Sequence, residues 1–213
     1  MFISFEGPEG SGKTTQIAFL ASWLQSNGLK AFTTREPGGS AIGDRVREIL
    51  LDPVATEMQP EAEVLLFSAA RAQIVGQIIR PRLDLGDIVI CDRYADSTMA
   101  YQGYGHQMDL EQLAAITTFA TGGLVPALTV YLDIDVEAGL MRKQQDAYVD
   151  SSQWNRMERK DVAFHRRVRA GYLEMAADEP ARWLVVDANQ PAPVVQAVIR
   201  DRVAQALTLE AGA

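Results

Sequence analysis

Eight residues near the amino terminus restrict this chain more than any others. Gly7-Pro8-Glu9-Gly10-Ser11-Gly12-Lys13-Thr14 satisfies G-x-x-x-x-G-K-[ST], a pattern that needs a strand before it and a helix after it. Phe2-Ile3-Ser4-Phe5 precedes it as an apolar run suited to a buried strand. Ile17, Leu20, Ala21 and Leu24 follow at helical spacing, up to a stop at Asn27-Gly28. In that setting the glycines let the loop curl so that successive N–H groups face an anion, helped by the positive end of the next helix. Lys13 would reach the outer phosphates of a bound nucleotide, and the Thr14 hydroxyl would bind Mg²⁺.

The rest of the chain predicts more strands and helices in alternation. Strands are expected at Lys30 to Thr34, Asp87 to Cys91, Leu128 to Leu132 and Trp183 to Asp187. Helices are expected from Ala41 to Leu51, from about Pro60 with a kink or restart at Pro81, from Leu110 to Ala120, and from Val136 to about Gln144. Two more are expected from Glu158 to Ala177 and from Pro191 to Leu207. Gln145 to Asn155 is polar and shows no clear periodicity. This pattern predicts an α/β fold, a five-stranded parallel sheet with helices on both faces, as one domain over residues 1–213. Ligands bind such sheets beyond the carboxyl ends of the strands. The glycine loop, the Arg35 loop, Asp92-Arg93 and Asp133 all fall at those ends.

Charge narrows the function. With 213 residues and a net charge of −8, the chain lacks the basic surface expected for nucleic-acid or anionic-membrane binding, so clustered arginines become informative. Its single cysteine, Cys91, excludes an internal disulfide and reads as a small buried apolar residue. No stretch is expected to reach membrane-helix length, and the first strand leaves no room for a signal peptide, which favours the cytoplasm. Asp92 and Asp133 both qualify as the strand-ending carboxylate that joins a loop hydroxyl around Mg²⁺. Asp92 is favoured because Arg93 follows it. Phe67 and Arg71, one helical turn apart, could stack on a flat base and bond its edge, although Phe67 alone also reads as a core aromatic. The loop residues Pro8 to Ser11 carry no positive charge, so a cation for phosphoryl transfer must come from elsewhere. Arg142, Lys143, Arg156, Arg159 and Lys160 flank the polar stretch, a potential lid.

Taken together, Phe5 to Thr15, Thr34-Arg35-Glu36-Pro37-Gly38-Gly39, Leu66-Phe67-Ser68-Ala69-Ala70-Arg71, Asp92-Arg93-Tyr94 and Ser97-Thr98-Met99-Ala100-Tyr101-Gln102-Gly103 resemble thymidylate kinases in wording, order and spacing. The resemblance implies a P-loop three-layer fold with a lid at about 143–157, and Mg²⁺- and ATP-dependent phosphorylation of dTMP to dTDP. It implies that ATP binds from Gly7 through Thr15, with Lys13 on the phosphates and Thr14 on the metal. Arg35 and Arg93 would grip the dTMP phosphate. Phe67 would stack on thymine, Arg71 would bond its edge, and Ser97, Thr98 and Gln102 would line the pocket. Tyr101 would crowd the position of a ribose 2′-hydroxyl, and Glu9 would lie near the 3′-hydroxyl. Arg156, then Arg142, are the lid arginines expected to act beside Lys13 and Arg93 in catalysis. Asn155-Arg156-Met157-Glu158 stands where the family usually has Asp-Arg-x-Glu. Family members are usually homodimers. Three other readings are a kinase for another nucleotide or nucleoside, a regulatory nucleotide switch, and a nucleic-acid motor. The Phe67/Arg71 and Ser97-to-Gln102 sets argue against a switch, and the charge argues against a motor.

Overall fold

The computed structural model describes residues 1–149 and 160–210. Strands β1 (Phe2–Glu6), β2 (Ala31–Arg35), β3 (Ile88–Asp92), β4 (Leu128–Asp133) and β5 (Trp183–Asp187) pair in the order β2-β3-β1-β4-β5, all parallel. The expected five-stranded parallel sheet is therefore present. Phe5 lies opposite Asp92, and Asp92 lies opposite Arg35. This register lines up the carboxyl ends of three strands, the edge from which the glycine loop departs.

Strand residues alternate between two covered faces, as a buried parallel sheet requires. Ile3 and Phe5, Ile88 and Ile90, and Leu128, Val130 and Leu132 point to one side, where they meet Leu20 and Leu24 of α1 (Lys13–Ser26) and Ile199 and Val203 of α9 (Ala192–Glu210). On the other side, Phe2, Val89 and Cys91 meet Ile74 of α3 (Pro60–Ile74). Tyr131 meets Tyr172 and Val168 of α8 (Val162–Asp178). Cys91 is fully buried, as the sequence predicts.

The remaining helices are α2 (Ala41–Leu51), α4 (Arg80–Asp84), α5 (Ala95–Thr98), α6 (Leu110–Thr121) and α7 (Val136–Val149). Four details depart from the sequence expectation. A π-helical turn, Val75–Ile79, carries α3 into α4, so the helix continues through Pro81; the wider turn absorbs the bond that proline cannot donate. The combined run Pro60–Asp84 is 25 residues long and apolar enough to span a membrane by length and composition alone, contrary to expectation. It packs against α2 and α6 in the way of a core helix. Helix α7 continues to Val149, past Gln144. The first described residue of α8 is Val162, where the Asp161 carboxylate caps the Phe164 amide. Arg156 and most of the expected lid lie outside the described residues.

A buried polar chain crosses the sheet. Ser4 and Thr129 hydroxyls meet at 3.0 Å, Thr129 donates to Asp96, and Arg182 grips both Asp96 oxygens at 2.7 and 3.1 Å. Removing the cation would strand a carboxylate in the interior. Arg182→Met should therefore destabilise the fold by roughly 3 kcal/mol, read as a lower urea midpoint with an unchanged slope.

Candidate active site

The glycine loop leaves β1 in a conformation that two positions can adopt only as glycine. Gly7 has φ +144°, and a Cβ there would lie 2.7 Å from the Leu132 carbonyl oxygen. Gly10 has φ +72°, and a Cβ there would lie 2.3 Å from the Gly139 carbonyl oxygen. The loop is thus pressed between β4 and α7. Lys13 folds back over it, donating to the Gly7 and Pro8 carbonyls at 3.0 Å each. Burial lowers the Lys13 pKa, with Arg93 adding to the effect against Glu9 and Asp92. Gly12, Thr14 and Thr15 open onto the same crevice, which Arg35, Asp92 and Arg93 close from the neighbouring strand ends. Within the loop, Ser11 Oγ is buried without a hydrogen-bond partner among the described residues.

The two carboxylates that the sequence left as metal candidates have different surroundings. Asp133 accepts a bidentate clamp from Arg169 at 2.7 and 2.8 Å. Asp92 Oδ1 is buried with no hydrogen-bond partner among the described residues, and Asp92 lines the crevice that Thr14 also lines. A carboxylate and a hydroxyl beside a phosphate-shaped loop fit Mg²⁺, which commonly takes one or two protein oxygens and fills its shell with water and phosphate. Among the described residues no cluster of three or more carboxylate, imidazole or thiol groups offers an all-protein cage.

Arg93 joins this crevice to a second cavity. Its φ of +69° is a strained value for a side-chain-bearing residue. Flanking bonds hold it: the Arg93 amide donates to Phe5 O, and the Tyr94 amide to Glu6 Oε1. The guanidinium bonds Glu9 at 2.5 Å and Ser97 at 3.4 Å, and its carbon stands 5.1 Å over the Tyr101 ring. Burial opposes ionisation of Glu9, but Lys13 and Arg93 outweigh it and hold the pKa down to about 2.

In the second cavity, Phe67, Arg71, Ser97, Thr98, Tyr101 and Gln102 share the walls with Glu9 and Arg93. The stretch Ser97 to Gln102, left without a secondary structure by the sequence, is helical: α5 passes into a π turn, Met99–Gly105, which turns successive side chains toward the cavity. Arg71 is 1% exposed, and its three nitrogens donate to Glu36 at 2.7 Å, Thr98 at 2.9 Å and the Tyr94 carbonyl at 3.2 Å. Arg35 is absent from this cavity; it pairs with Asp44 on α2 and faces the loop crevice. Arg142 directs its guanidinium to the Ala188 carbonyl at 3.2 Å, whereas Lys143 lines the crevice.

Three residues were missed by sequence reading. Arg47 lines both cavities and donates to the Pro37 carbonyl at 2.9 Å. Glu36 lines both and keeps one buried oxygen unpartnered among the described residues. Glu6, fully buried, accepts from Tyr94 N, Ser97 Oγ and Tyr172 Oη at 2.8, 2.6 and 2.8 Å. Only Glu36 had a local signal, its position inside the Pro-Gly-Gly loop.

Burial, then the nearby Asp96 charge, raise the Glu6 pKa to about 7 against Arg93, Ser97 and Tyr172. Between the ordinary carboxylate range and pH 7 the folded state therefore binds more protons at this site than the unfolded chain. Its contribution to stability must fall as pH rises through that window. Urea titrations from pH 4.5 to 7.5 should show this slope, and Glu6→Gln should remove it.

A sequence profile described as thymidylate kinase matches residues 5–199. A thymidylate kinase of Herpetosiphon aurantiacus is 52% identical over 209 residues, 89% of each chain. One from Deinococcus radiodurans is 50% identical over 199 residues, 93% of this chain and 94% of the relative. The crystal structure of thymidylate kinase from Ehrlichia chaffeensis matches with a TM-score of 0.75 at 32% identity, covering 95% of this chain and 98% of that one. A glycine loop beside an arginine-rich pocket and these matches over nearly the whole length lead to one conclusion: the chain belongs to the thymidylate kinase family.

Proposed function

We propose how this chain, an enzyme that phosphorylates dTMP to dTDP with ATP, divides the work among its residues. One observation carries the reading: Glu9, Glu36, Arg47 and Arg93 line both cavities, so a donor phosphate in the first and an acceptor phosphate in the second would meet at one point. The loop from Gly7 to Thr15 holds the ATP phosphates through its amides, and Lys13 turns from the Gly7 and Pro8 carbonyls to their oxygens. Thr14 and Asp92 would hold Mg²⁺, which would supply charge neutralisation to the nucleotide phosphates.

The acceptor phosphate lies against Arg93 and Arg35, with Arg47 beside them. Thymine stacks on Phe67, Arg71 donates to its edge, and Ser97, Thr98 and Gln102 complete the wall. Tyr101 fills the place of a ribose 2′-hydroxyl, and Glu9 reaches the 3′-hydroxyl. A phosphate oxygen of dTMP attacks the γ-phosphorus, the bond to the β-phosphate oxygen breaks, and ADP leaves. The protein supplies position and charge and forms no bond of its own. Arg156 in the lid, at about 143–157 of a single domain, supplies a cation to the moving phosphoryl group. The Ala188 contact of Arg142 favours a role for that residue outside the transition state.

We also propose a cytoplasmic homodimer that uses free nucleotides and binds neither nucleic acid nor membrane. The net charge of −8 supports the last two points. The dimer is supported by exposed apolar residues on three adjacent helices: Ile42 and Ile49 on α2, Leu65 on α3 and Phe119 on α6, 90% exposed.

Purified protein with Mg-ATP should form ADP rapidly with dTMP and far more slowly with dCMP, AMP or thymidine; equal turnover of dTMP and AMP would remove the pocket assignment. Lys13→Ala should abolish turnover. Arg156→Ala should lower kcat far more than it raises KM, and an unchanged kcat would pass the role to another cation. In sedimentation, the same preparation should run at twice the monomer mass, and monomeric active protein would exclude the dimer.

A further inference from the structure

Glu63, Phe67 and Arg71 recur at four-residue intervals on α3 and so share one stripe of that helix. Phe67 and Arg71 wall the second cavity, while Glu63 sits behind it, 1% exposed. Glu63 Oε1 accepts a 2.7 Å hydrogen bond from Gln102 Nε2 and stands 3.7 Å from His106 Nε2. Gln102 is itself 2% exposed and belongs to the π turn Met99–Gly105 that lines the cavity. Its Oε1 accepts no hydrogen bond among the described residues.

A carboxylate only accepts hydrogen bonds, whereas a carboxamide has a donating end and an accepting end. Turning the Gln102 amide over would bring two acceptor oxygens together in a buried place, a costly arrangement. The amide orientation therefore follows from the chemistry of its partner. Of the two hydroxyls on the same wall, Thr98 accepts from Arg71 and can still rotate its own hydrogen, whereas the Ser97 hydrogen is already committed to Glu6.

We propose that Glu63 is a positioning residue for base specificity: it pins the Gln102 carboxamide so that the carbonyl oxygen, and never the amino group, is presented to the base. An acceptor at that point complements a pyrimidine whose ring N3 carries hydrogen, as in thymine and uracil. It opposes cytosine, whose N3 is itself an acceptor. Stacking on Phe67 does not distinguish these rings, because their faces and sizes are alike. A hydrogen-bonding site left unmatched can reject a near-isostere far more strongly than a hydrophobic wall can.

The inference rests on assigning the Phe67 cavity to the base of dTMP. That assignment fails separately if Phe67→Ala leaves KM for dTMP unchanged. The test of the inference itself is steady-state kinetics with dTMP and dCMP on Glu63→Gln, Gln102→Met and the double variant, with thermal unfolding of each. A glutamine at 63 can offer either end of its amide, which frees Gln102 to turn. In Glu63→Gln the ratio of kcat/KM for dTMP over dCMP should fall roughly tenfold, through loss at dTMP and gain at dCMP. Gln102→Met should lower the ratio as well, and adding Glu63→Gln to it should change the ratio no further. Equal losses on both substrates would reduce the Glu63–Gln102 bond to a tether between α3 and the π turn and overturn the proposal. An unchanged ratio in Glu63→Gln would overturn it too. Should Glu63→Gln fail to fold, Gln102→Met decides the matter, because a retained preference for dTMP there shows that no acceptor at 102 reads the base.

Discussion

The Glu6 carboxylate, enclosed at the end of the central strand, is the contact on which the site's geometry depends. It takes the Tyr94 amide on one oxygen and the Ser97 and Tyr172 hydroxyls on the other. Those donors come from the turn after β3, from α5 and from α8. One side chain thereby ties the strand that launches the glycine loop to α8 and to the turn after β3 and α5, which wall the second cavity. The Tyr94 bond is also what makes the strained Arg93 backbone tenable, since it fixes the residue immediately after it. A buried carboxylate costs several kcal/mol unless its oxygens are satisfied; the three donors offset part of that cost and fix the local conformation, while burial still raises the Glu6 pKa to about 7.

From that anchor the two halves of the site face each other. Glu9, three residues beyond Glu6, bonds Arg93, which immediately precedes Tyr94. The loop and the strand end are thus held together twice, once beneath the crevice by Glu6 and once within it by Glu9. Positive charge is gathered here in a chain that is acidic as a whole. Lys13, Arg35, Arg47, Arg93 and Lys143 all line the loop crevice. Concentrated charge of this kind favours the bound polyphosphate and stabilises negative charge that spreads over a phosphoryl group in transfer.

Local order near the site is set by departures from regular helix. The π turn at Met99–Gly105 follows directly on α5, and it brings Tyr101 and Gln102 to the pocket together with Ser97 and Thr98. In a regular helix these four positions would be spread around more of the circumference. Arg71 is held rigid by three separate acceptors, so its remaining N–H groups are already oriented before any ligand enters the cavity. Such preorganisation spares the ordering cost that a mobile arginine would incur on binding.

The glycine loop, the five strands and most helices were legible in the sequence because each depends on neighbours a few residues away: periodicity, caps and turn residues. Phe67 with Arg71, one turn apart, and Asp92 at a strand end were legible for the same reason. The roles of Glu6, Arg47 and Glu63 were not. Glu6 meets Tyr172 across 166 residues of sequence, and Glu63 meets Gln102 across 39. Nothing local marks a carboxylate whose partners arrive from elsewhere. The sequence favoured Asp92 over Asp133 only through its neighbour Arg93; the Arg169 clamp on Asp133 is a contact across 36 residues that nothing local announces. By itself, then, the sequence determined a parallel α/β sheet with a phosphate loop at its edge. Only the tertiary structure decided which buried charges are neutralised and which face the crevice, because neutralisation depends on distance in space, which folding alone sets.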